Sequence, residues 1–96
     1  GGNKQKVVLA KWMGNDSRIM IMDCPTRGID IGVKESIYRM MEQMKREKKA
    51  VIMISEELPE LIGMSDRIMI MRGNLVTKVM DRNPEITEQQ LIEYMI

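Results

Sequence analysis

Apolar residues fall along this chain in two rhythms, short unbroken runs and longer stretches with helical spacing. Ile19–Met20–Ile21–Met22 runs straight into Asp23, and Pro25, Gly28 and Asp30 follow in a broken stretch. A continuous apolar run reads as a strand buried on both faces, which predicts strand 18–23 and a loop over 24–31. Upstream, Val7, Val8, Leu9 and Ala10 lie among Lys4, Gln5, Lys6 and Lys11. This predicts a helix over 3–13, stopped by the turn chemistry of Gly14–Asn15–Asp16. Val33, Ile37, Met40, Met41 and Met44 mark one face of a helix over about 32–47. Lys34, Glu35, Arg39, Glu42, Lys45 and Arg46 mark its solvated face. Ala50–Ile54 is a second wholly apolar run. Strand, helix and strand at this spacing predict a βαβ unit with parallel strands and a right-handed crossover.

Beyond it the signals become local. Leu58, Leu61 and Ile62 predict a short helix before Gly63, and a third strand covers about 67–71. Arg72–Gly73–Asn74 is hairpin-turn chemistry, so Leu75–Met80 is read as the returning strand. Thr87 and Gln90 have capping-box spacing, and Ile86 and Leu91 are placed as a hydrophobic staple. A last helix is therefore expected over 88–95. There is no internal repeat or low-complexity tract.

Ninety-six residues suffice for one small domain or a piece of a larger one. Fifteen basic and fourteen acidic residues leave a net charge of +1, so no long-range field favours nucleic acid or membrane. The aromatic residues are one Trp and two Tyr, too few for a platform on which single-stranded bases stack. Nucleic acid is thereby excluded as an expected partner. Cys24 is the lone cysteine and there is no histidine, which argues against a disulfide or a zinc site and fits a reducing compartment. No apolar run approaches the ~20 residues of a membrane span. Twelve methionines read as adaptable core fillers, with Met20, Met22, Met53, Met69 and Met71 in strands and Met40, Met41 and Met44 on the helix.

Asp23 carries the first chemical signal. A carboxylate at the end of a parallel strand emerges where α/β proteins bind their ligands, and in phosphate-handling proteins an Asp there holds Mg²⁺ directly or through water. Its bland alternative is to hydrogen-bond the following loop. Gly1–Gly2–Asn3 precedes a helix, leaving backbone N–H groups free for a phosphate. With Thr26–Arg27–Gly28–Ile29–Asp30 between them and the next helix, these segments resemble the signature tail, Walker B strand and D-loop of ABC-transporter ATPases. The resemblance implies an α/β fold, part of a P-loop NTPase (ABC ATPase) fold, with parallel strands, crossover helices, and a C-terminal β-hairpin and helix. It implies that Asp23 orients Mg²⁺ through water, and that Gly1, Gly2 and Asn3 contact the ATP of the opposite nucleotide-binding domain. It also implies that Asp30 belongs to the D-loop coupling two ATP sites, although Asp30 can equally serve only to cap the helix after it.

Two positions depart from the family pattern. Cys24 stands where the catalytic Glu belongs. A thiol is mostly protonated at neutral pH and is a poor acceptor, and no His or second Cys is present to activate it. Glu56, after Ile54–Ser55, stands where the switch His belongs, and a carboxylate repels a γ-phosphate. Glu56 and Glu57 also have a structural use, as negative charge at a helix N-terminus. The wording T-R-G-I-D, S-E-E-L-P-E-L and G-M-S-D-R-I resembles the second nucleotide-binding domain of tandem ATPases of ribose-, galactose- and xylose-type importers.

What this implies is the ATP-binding subunit of a bacterial monosaccharide importer, peripheral on the cytoplasmic face of the inner membrane. Its expected partners are the first nucleotide-binding domain of the same parent chain and the transmembrane permease subunits. No GxxxxGK[ST] occurs in the chain, so residues 1–96 are expected to be a fragment of one domain, inactive alone for want of the phosphate cradle. The competing readings are a non-enzymatic interaction or regulatory module derived from an ABC domain, and a repair- or translation-type ABC protein. In the family, a further strand lies between those at 50–54 and 67–71. Its absence implies unpaired edges and self-association, unless the two strands pair directly.

Overall fold

The computed structural model describes residues 18–96; the helix expected over 3–13 and Gly1–Gly2–Asn3 lie outside them. In chain order the elements are β1 (Ile19–Asp23), α1 (Ile31–Arg46), β2 (Ala50–Ile54), α2 (Leu58–Met64), β3 (Arg67–Arg72), β4 (Leu75–Asp81) and α3 (Glu88–Met95). The mixed α/β class matches the sequence expectation. The chain divides into two compact units, with the boundary between Ser55 and Glu56.

In the first unit β1 and β2 pair in parallel, with Met20 beside Val51, Ile21 beside Ile52 and Asp23 beside Ile54. A parallel pair needs a crossover, and α1 supplies it and packs on β2. Ile37, Met41 and Met44 on α1 are buried, as are Met20 and Met22 on β1. The expectation of two buried faces fails here. Ile19 is 63% exposed and Ile21 66%, while Ile52 and Ile54 are also exposed. Side chains of a strand alternate in direction, and among the described residues only the methionine face of β1 is covered.

In the second unit β3 and β4 form an antiparallel hairpin closed between Arg72 and Leu75. Gly73 and Asn74 both have positive φ, 56° and 64°, the backbone of the two-residue turn whose twist matches that of the flanking strands. The register slips between Ile70 and Met71, where a bulge sets Thr77 outside the ladder. The Thr77 hydroxyl donates to the Tyr94 carbonyl at 2.8 Å, so the bulge helps to seat α3. Ile68, Ile70 and Leu91 form a buried cluster, backed by Leu58, Leu61, Ile62, Met80 and Ile86. Thr87 and Gln90 make the expected reciprocal capping box, and Ile86 packs on the cluster containing Leu91. The methionines divide. Met20, Met22, Met41 and Met44 are core, whereas Met69 and Met71 are 60% and 58% exposed; Ile68 and Ile70 hold the covered face of β3.

Among the described residues β2 is hydrogen-bonded only to β1, and β3 only to β4. No helix among the described residues is long and apolar enough to cross a membrane.

Candidate functional site

The candidate chemistry lies at the carboxyl end of the parallel pair. Asp23 is the last residue of β1, and the Cys24 amide donates to the Ile54 carbonyl at 2.8 Å. That bond ties the exit of β1 to the exit of β2, so Asp23 and Cys24 emerge beside Ile54, with Ser55 and Glu56 next in the chain. Asp23 is exposed, and among the described residues no side chain engages its carboxylate. It extends from a fixed strand end toward solvent, as a ligand-facing carboxylate must.

Immediately after Asp23 the backbone turns. Cys24 has φ 48°, a left-handed conformation that costs a non-glycine residue about 1–2 kcal/mol. The Cys24 carbonyl accepts from the Arg27 amide at 3.2 Å. Gly28 has φ 71° with open space around its Cα, so glycine is required there by the backbone and not by crowding. Pro25 and Thr26 are buried, Thr26 to 2%. The loop is thus pinned at its centre, with its polar ends exposed.

Asp30 is extended, with ψ 167°, and its Oδ1 accepts from the Val33 amide at 2.9 Å. This is N-cap geometry, so the capping use allowed by the sequence is realised. Sequence reasoning missed Arg27, whose Nη2 donates to the Cys24 Sγ at 3.2 Å. The available signal was a basic residue three positions after the cysteine, within a turn that folds back on itself.

Glu56 is exposed after β2, and Glu57 occupies the N-cap position of α2 without a side-chain capping bond. Their expected use as helix-terminal charge is therefore electrostatic and not through a cap bond.

ATP and Mg²⁺ are what the resemblance implies, and the residues present fit one part of that task. Among the described residues no cluster of three His, Cys, Asp or Glu side chains could hold a metal. Mg²⁺ needs no such cage, because it keeps several waters and is held by one or two carboxylates together with substrate phosphates. Asp23 can supply such a carboxylate. When bound, Mg²⁺ neutralises charge on the transferred phosphate. Cys24 does not fit the water-polarising role, since its sulfur lies against a guanidinium donor and is a weak acceptor.

No protein-family model matches the chain. Among curated proteins it is 48% identical over 94 residues to the ribose import ATP-binding protein of Shouchella clausii, covering 98% of this chain and 19% of that protein. Against the ribose import ATP-binding protein of Yersinia pestis it is 46% identical over 92 residues, 96% of this chain and 18% of the relative. The chain therefore spans about a fifth of the length of the curated relatives it matches. A solved ATP-binding cassette of an ABC transporter superposes with a TM-score of 0.82 over 98% of this chain and 39% of the other, at 17% identity. That likeness speaks for the fold, and the sequence identity for descent. A parallel pair ending in an exposed carboxylate, a cassette fold and near-complete alignment with sugar import proteins together show that this chain belongs to the ABC-transporter ATPase family.

Proposed function

We propose that the chain is part of the ATP-binding subunit of a bacterial importer that couples ATP binding and hydrolysis to uptake of a monosaccharide. The observation that carries this is the 48% identity to a ribose import ATP-binding protein over 98% of the chain. In this reading the chain belongs to the second of two nucleotide-binding domains. It serves two ATP sites unequally. Gly1, Gly2 and Asn3 face the nucleotide held by the first domain. Asp23, Cys24 and Glu56 belong to the second domain's own site, where Asp23 orients Mg²⁺ and its water. Asp30 contributes to the D-loop between the sites while capping its helix.

The second site is hydrolytically weak. A base must accept a proton or hydrogen-bond density from water near neutral pH, and Cys24 is ill suited to do so. The permease subunits and the first nucleotide-binding domain are the working partners, and the assembly lies against the cytoplasmic face of the inner membrane.

Three experiments test the reading. Titration of the 96-residue chain with Mg·ATP is expected to give no tight binding, and micromolar Mg²⁺-dependent binding refutes the claim that the phosphate cradle lies elsewhere. In the longer protein with its permease, Gly2→Glu is expected to abolish sugar uptake and its coupled hydrolysis, because a side chain and a negative charge would enter a phosphate-facing loop. Cys24→Glu alone is expected not to restore turnover at the second site, since Glu56 still occupies the switch position and residues acting as one unit give non-additive effects. Normal sugar uptake in the Gly2→Glu variant sinks the proposal.

A further inference from the structure

We draw no further inference here: the strongest candidate, the side-chain pair in the loop after β1 where the Arg27 guanidinium donates to the Cys24 Sγ at 3.2 Å, rests on a lone cysteine beside the carboxylate of the site already described, with no second observation among the described residues that points to a ligand.

Discussion

The two halves of this chain solve the problem of covering a two-stranded sheet differently. The second unit uses a hairpin whose register is set by the Gly73–Asn74 turn and whose inner face is closed by α2 and α3 around Ile68, Ile70 and Leu91. The first uses a parallel pair joined through the sixteen residues of α1, with Ile19, Ile21, Ile52 and Ile54 exposed on one face. Local chemistry builds the hairpin unit. The parallel unit depends on longer-range contact, and it is the one that brings Asp23 and Cys24 to a common edge with the end of β2. The contrast is between a unit that closes on its own side chains and one that, among the described residues, leaves one apolar face exposed.

The sharpest way to break this comparison is through two fully buried aliphatic side chains, Leu91 and Ile37, each 0% exposed. Leu91→Ala is expected to destabilise by about 3 kcal/mol and Ile37→Ala by a similar amount, within the range of large-to-small core changes. Hydrogen exchange should separate them. Leu91→Ala should first release the β3–β4 amides, and Ile37→Ala the β1–β2 amides. Equal loss of protection in both sheets from either substitution would show that the units do not differ in this way.

A smaller effect is expected at the turn after Asp23. Cys24 has φ 48°, so Cys24→Gly should be neutral or stabilising. Cys24→Val, β-branched at a left-handed position, should cost about 1–2 kcal/mol. Denaturant melts of the two variants and the wild type provide the check; a Cys24→Gly variant less stable than the wild type would mean that the Arg27–Sγ contact at 3.2 Å outweighs the backbone.

Caps come next. Asp30→Ala and Thr87→Ala each remove a side-chain acceptor from a helix start and should each cost about 1 kcal/mol. Asp30→Asn should cost less, because an amide oxygen still accepts from the Val33 amide. Chemical denaturation resolves these differences, and an Asp30→Ala change without effect would leave Asp30 no structural role in this chain. Smallest of all is the exposed Glu35–Arg39 pair on α1, 3.7 Å apart. Glu35→Gln should cost about 0.3 kcal/mol at low salt and less at high salt.

The sequence alone determined whatever rests on local chemistry. The Gly73–Asn74 turn, the Thr87–Gln90 box and the apolar stripe of α1 each depend on residues a few positions apart. Their elements accordingly fall where the pattern placed them, and β2 does so residue for residue. The segment around Asp23 was legible for the same reason: an apolar strand ending in a carboxylate is a local pattern with one place to go in a parallel sheet. Tertiary structure decided which apolar residues are buried. Nothing in Ile-Met alternation says that Met20 and Met22 face inward on β1 while Met69 and Met71 face outward on β3, because both residue types satisfy either face and only the packed layer selects one. The same holds for Arg27 and Cys24. Their contact needs the positive φ of Cys24 and the fold-back of the loop, which depend on a hydrogen bond to Ile54, thirty residues farther along the chain.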